Sequence, residues 1–145
     1  MIDKDLYNLL KPVVAFGPIA LAADNTPAAI DLAYYQSALI LISVGAGGIT
    51  FDTTNKVEFK LTHSADDSSY DAVTVDDLIG VASVGTGGIV KSLNAAHATA
   101  DVTAIGYKGG RRYLKMLADF SGTHGTATPM AVTVIKGATD ILPAA

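Results

Sequence analysis

Val57-Glu58-Phe59-Lys60-Leu61-Thr62 sets three apolar side chains against three polar ones in strict alternation. Alternation with period two puts one set on each face of an extended chain, so the stretch predicts a strand with one face buried and the other in water. The run Ala38-Leu39-Ile40-Leu41-Ile42, bounded by Gly45, Gly47 and Gly48, is apolar throughout and too short for a helix, which predicts a fully buried strand. Tyr70 to Val75 is β-prone and runs into Asp76-Asp77, and Val102 to Tyr107 is closed by Gly109-Gly110. In Arg111 to Phe120, Leu114, Met116, Ala118 and Phe120 share one face at period two, with Tyr113, Lys115 and Asp119 on the other. The glycines on either side favour strand over helix there. Met130, Val132 and Val134 alternate with Ala131, Thr133 and Ile135, behind a proline at the strand entrance, where a missing N–H costs least. About eight short strands with Gly-, Ser- and Asp-rich connectors predict an antiparallel sandwich or barrel. Residues 1–18 read as an N-terminal arm and 19–145 as a single β-sandwich domain. Within the arm, Leu6, Leu9, Leu10 and Val13 fall at helical offsets, so one amphipathic turn is expected, ended at Pro12-Val13.

The size agrees with one domain. With 145 residues, half of them apolar and 17% charged, the chain can bury a core and is not a disordered polyelectrolyte. A net charge of -4 gives no electrostatic basis for general nucleic-acid binding. Zero cysteines remove disulfides, thiolate zinc sites and cysteine nucleophiles together. The apolar stretch Val13 to Ala23 is broken by Gly17-Pro18 and falls short of the roughly 18 residues a membrane span needs, so no membrane partner is expected. Ala20-Leu21-Ala22 imitates a signal-peptidase site, but Asp3 and Asp5 beside Lys4 and Lys11 leave no basic leader segment before it.

Motifs for chemistry fail on spacing. Val44-Gly45-Ala46-Gly47-Gly48-Ile49 recurs as Val84-Gly85-Thr86-Gly87-Gly88-Ile89, but neither copy has the third glycine of a dinucleotide fingerprint. Val90 replaces the glycine that a phosphate loop needs before its lysine. Both copies are expected to be turns between strands. His63, His97 and His124 lack metal-ligand spacing and read as surface or loop histidines. Asp66-Asp67 with Asp71, and Asp76-Asp77, lack the order of a calcium loop and read as solvated. No Gly-x-Ser-x-Gly elbow organises a serine. No catalytic, cofactor-binding or metal-binding residue is therefore expected, and no cofactor.

Charge is uneven. Residues 1–100 hold 11 acidic and 5 basic side chains, whereas residues 101–145 hold 3 and 5. The basic cluster is Lys108, Arg111, Arg112 and Lys115. Arg111 and Arg112 would face opposite ways on a strand, so only one can enter a given interface. Two readings stay open: solvated arginines that guard a sheet edge, or an arginine fork on a partner's carboxylate.

Three segments carry a resemblance. They are His63-Ser64-Ala65-Asp66-Asp67-Ser68-Ser69-Tyr70, then Asp76-Asp77-Leu78-Ile79-Gly80, and above all Ala104-Ile105-Gly106-Tyr107-Lys108-Gly109-Gly110-Arg111-Arg112-Tyr113-Leu114-Lys115. Together with a last strand and a tail near Pro143 they span roughly residues 36–143. In this pattern the chain resembles the cement or decoration proteins of tailed-phage heads, of the kind found on Bordetella phage capsids. The resemblance implies an all-β, antiparallel, jelly-roll-like β-sandwich without enzyme activity. Such a protein sits on the capsid exterior at junctions of the major capsid protein, after assembly in the host cytoplasm, and self-associates as a dimer or trimer. The expected interface residues are Leu6, Tyr7, Leu9 and Leu10 of the arm, as an apolar anchor, with Arg111, Arg112 and Tyr113. Leu6 to Leu10 have the alternative of folding back onto the sandwich. The alternative functions are another virion β-module, such as a head-fibre base or tail component, or a carbohydrate-binding sandwich. A small hydrolase or isomerase would need clustered histidines and carboxylates.

Overall fold

The structure, a computed structural model, describes residues 4–139. In chain order the elements are α1 (Leu6–Leu9), β1 (Lys11–Leu21), β2 (Ile30–Asp31), β3 (Tyr35–Val44), β4 (Lys56–Ser64), β5 (Asp71–Ala72), a 3-10 turn (Val75–Asp77), β6 (Leu78–Ile79), β7 (Ile89–Leu93), β8 (Asp101–Tyr107), β9 (Tyr113–Ser121) and β10 (Thr128–Thr139). They form two antiparallel sheets of five strands. The first has the order β1-β10-β3-β8-β6; the second has β2-β9-β4-β5, with β7 also paired to β4. The pairings nest: β1 with β10, β2 with β9, β3 with β8, β4 with β7.

One apolar core lies between the sheets. Ile40, Ile42, Ile105, Val132 and Val134 from the first sheet meet Val57, Phe59, Leu61, Leu114 and Ala118 from the second, each at most 2% exposed. The alternation at 57–61 therefore has its expected cause. The strand continues one step further than that reading, so His63 takes the next inward position and is buried, not on the surface.

Three other expectations change. The run 38–42 is not buried throughout: Ala38, Ile40 and Ile42 face the core, while Leu39 is 39% exposed and Leu41 half-buried. The strand expected over Tyr70 to Val75 shrinks to β5, because Val73 donates its N–H to Leu61 and the Thr74–Asp77 capping box then turns the chain into a 3-10 turn. Residues 1–18 do not all stand apart. The amphipathic turn forms as α1, but from Lys11 onward the chain is β1, zipped to β10 from Lys11–Lys136 to Leu21–Thr128.

The repeated glycine motif is structural in both copies. Gly47, Gly48, Gly87 and Gly88 all have positive φ, a region open to glycine at little cost. A methyl on Gly48 would collide with Thr128, and one on Gly88 with the carbonyl oxygen of Leu61.

Candidate interaction surface

The two outer sheet faces differ in chemistry. On the second sheet, outward positions of β4 and β9 carry Glu58, Lys60, Lys115 and Asp119, and Lys60 reaches the Asp119 carboxylate at 2.5 Å. On the first sheet the outward positions follow cross-strand rows. Pro12, Ile135, Leu39, Gly106 and Ile79 form one; Val14, Thr133, Leu41 and Ala104 form the next; Ala131, Ser43 and Val102 form the third. None of these residues is charged. Val14, Ile79 and Val102 are about 60% exposed. A contiguous apolar patch of this kind on a folded domain marks a contact surface more often than chance exposure does.

Relief on this face comes from two glycines. Ile79 lies across Gly106 and Leu10 across Gly137, each so near that a Cβ would sit 3.1 Å from it. Between these two ridges runs a shallow groove of about 250 Å³, floored by Leu39, Gly106, Ile135 and Gly137, with Lys108 at its rim.

The expected anchor residues divide accordingly. The Asp5 carboxylate caps α1 by accepting from the Asn8 N–H at 3.2 Å and its side-chain amide at 2.6 Å. The turn leaves Leu6 61% and Tyr7 87% exposed, while Leu9 and Leu10 are half-buried. The four residues thus divide: Leu6 and Tyr7 point outward, while Leu9 and Leu10 fold back, Leu10 joining the uncharged face.

The arginines are committed to their own chain. Arg112 grips Asp31 of β2 with two bonds, Nε at 2.8 Å and Nη2 at 2.9 Å, and stacks over Tyr113 with its carbon 5.0 Å from the ring centre. Arg111 reaches the other way, to Asp71 of β5 at 2.5 Å. The fork geometry is therefore real, but the carboxylate is internal. The guanidinium holds the Asp31 carboxyl down at about 2. Tyr113 is half-buried beneath. A groove of about 460 Å³ opens beside the arginines, lined by Leu32, Tyr35, Gln36, Tyr107, Arg111 and Arg112.

No family model, curated protein or solved structure matches the chain.

Among the described residues no three His, Asp or Glu side chains are grouped to hold a metal ion. The Asp66 carboxylate accepts from Ser64 Oγ and from the N–H groups of Ser68 and Ser69, which pull its pKa down to about 2. His97 and His124 are half-buried; His97 meets Phe51 edge-on, and His124 meets Phe120 edge-on. Sequence reasoning missed the uncharged face because its rows join residues from five distant strands. A signal was present: β3 is apolar at Leu39 and Leu41 as well as at Ile40 and Ile42, a pattern β4 lacks.

Proposed function

We propose that this chain is a structural protein of a tailed-phage head, which decorates the capsid exterior and cements neighbouring major capsid protein subunits without any turnover of its own. The observation that carries the reading is the uncharged outer face of β1-β10-β3-β8-β6, continuous through Leu10 with the outward pair Leu6 and Tyr7. Such a surface serves protein contact, in which apolar and aromatic anchors supply most of the binding energy. Support comes also from the segment Ile105-Gly106-Tyr107 through Arg111-Arg112-Tyr113, the most specific part of the likeness to phage cement proteins. The nested order β1-β10-β3-β8 over β2-β9-β4-β7 is that of a rolled-up hairpin and supports the jelly-roll reading.

The mechanism follows from mass action. Packed DNA presses a shell outward, and capsomer seams open first. A rigid body with contacts on both sides of a seam adds interactions that must break together, so modest patches act through effective concentration. In this reading Leu6 and Tyr7 grip the shell.

The test is occupancy on purified heads. The double variant Leu6→Ser, Tyr7→Ser should keep the wild-type urea midpoint and lose at least tenfold in affinity for heads, and cryo-EM should place the wild-type chain over capsomer seams. Undiminished occupancy of the variant, or density away from the shell, would overturn the proposal.

A further inference from the structure

We infer that the groove between residues 32–36 and 107–112 binds an acidic saccharide, whose carboxylate is held by Arg111 and Arg112 and whose ring lies against Tyr34 and Tyr35.

Three observations carry this. The first is the balance of hydrogen-bonding groups. The groove measures about 460 Å³, within the range of about 300–1,000 Å³ over which proteins hold small ligands. Among the described residues its only charged lining groups are the two guanidiniums; Asp31 and Asp71, which they also hold, are not part of the lining. Asp31 takes two N–H groups of Arg112 and Asp71 takes one of Arg111, whereas a guanidinium carries five. The two side chains are 52% and 38% exposed. Donors therefore remain within reach of a ligand, and their planar fork suits a carboxylate. An apolar ligand would strand those donors, while a sugar acid meets them with oxygens around its whole ring.

The second observation is the gathering of rings. Four of the six tyrosines come together here: Tyr35 and Tyr107 line the groove, Tyr34 adjoins Tyr35, and Tyr113 lies beneath Arg112. The Arg112 guanidinium is thus fixed twice, by Asp31 and by the Tyr113 ring, which lowers the ordering cost of gripping a ligand.

The third is Tyr34. Its turn is closed by the Tyr35 N–H donating to the Leu32 carbonyl at 2.9 Å, and Tyr34 takes the third position with φ 72°, a place that glycine fills at lower cost. The residue is 78% exposed, so packing does not account for the ring. A bulky side chain held on left-handed backbone with its ring in water points to a contact made outside the chain.

None of the lining residues belongs to α1 or to the three outward rows of the first sheet. The groove is therefore separate from the surface proposed for shell contact, and the inference does not rest on that reading.

The test is NMR titration of the full chain with sialyllactose and with a hyaluronan tetrasaccharide, lactose and maltotetraose being the neutral controls. At least one acidic sugar should shift amides within 32–36 and 107–112 with a Kd of about 1 mM or tighter, and the neutral sugars should bind at least tenfold more weakly. Arg112→Lys keeps the charge and loses the fork, so affinity should fall about tenfold. Tyr34→Gly suits the turn and removes the ring; it should keep or raise the urea midpoint while weakening binding about fivefold. A merely structural Tyr34 predicts no such split, and this variant carries the test should Arg112→Lys fail to fold. No saturable shift by about 20 mM of either acidic sugar, equal affinity for the neutral controls, or shifts confined to other residues overturns the inference. A hexaglutamate peptide that binds the groove more tightly than both acidic sugars also overturns it and returns the arginines to a protein partner. Sugar binding by a protein absent from heads would leave the site standing and remove the capsid role, and a protein that decorates heads but ignores both acidic sugars would do the reverse.

Discussion

His63 Nδ1 lies 2.8 Å from the Tyr107 phenol oxygen, a buried hydrogen bond that ties β4 of one sheet to β8 of the other across the core. The same oxygen accepts the Arg111 N–H at 3.2 Å. On its other side the imidazole turns Nε2 toward Asp77, 4.0 Å away.

Tyr107→Phe removes the hydroxyl and leaves the buried His63 Nδ1 without this partner, while the part-buried Arg111 N–H can turn to water. Stranding one buried polar group costs about 1–3 kcal/mol, so the variant should lose about 2 kcal/mol. Urea denaturation at pH 7.5 reads this directly, and a loss under 0.5 kcal/mol would show the bond to be dispensable.

Acid should weaken the fold before any carboxylate titrates. Burial pushes the His63 pKa below its ordinary 6.5, and the nearby Arg111 charge adds to the effect, while Asp77 and Asp71 oppose it. The unfolded chain then binds a proton that the folded chain refuses, so stability is complete above about pH 6.5 and declines as the pH falls toward the folded value. Urea midpoints between pH 8 and pH 5 should show this decline, and His63→Gln should flatten it.

Gly88 and Gly110 share a positive φ, 89° and 75° respectively, but differ in surroundings. Nothing lies within 4 Å of a Cβ on Gly110, whereas on Gly88 it meets the Leu61 carbonyl. Gly110→Ala should therefore cost only the left-handed backbone term, about 1–2 kcal/mol. Gly88→Ala adds displacement of β4 and should cost about 3 kcal/mol or more. Equal thermal shifts for the two variants would contradict this difference.

The Asp31 carboxyl should titrate near 2, as its bidentate bond to Arg112 implies. A depressed carboxylate adds stability above its unfolded value of about 3.8, and that contribution drains away as the pH falls to about 2. The pair is half exposed, which keeps its stabilising effect small. Carboxyl NMR should find the low midpoint in the native chain and a higher one in Arg112→Lys, which cannot form both bonds.

The sheet content was legible wherever one face meets water and the other the core. Val57, Phe59 and Leu61 alternate with charged neighbours because the second sheet is solvated outside. The same rule misled at Leu39 and Leu41: an uncharged outer face erases the alternation and imitates a strand covered on both sides. Arg111 and Arg112 precede β9 and are not on the strand expected for them, and they turn to Asp71 and Asp31, which lie 40 and 81 residues away, beyond the reach of local pattern. The His63–Tyr107 bond, spanning 44 residues, is hidden for the same reason.

The nesting of β1 with β10 sets the order of events at the ribosome. The partner of the first strand is the last one synthesised among the described elements, so the inner pairs of the roll emerge while Val13, Phe16 and Leu21 still lack the strand that covers them. Because β1 and β10 stand more than 100 residues apart in the chain, this seam rests on a contact of high sequence separation, the kind that forms late in folding.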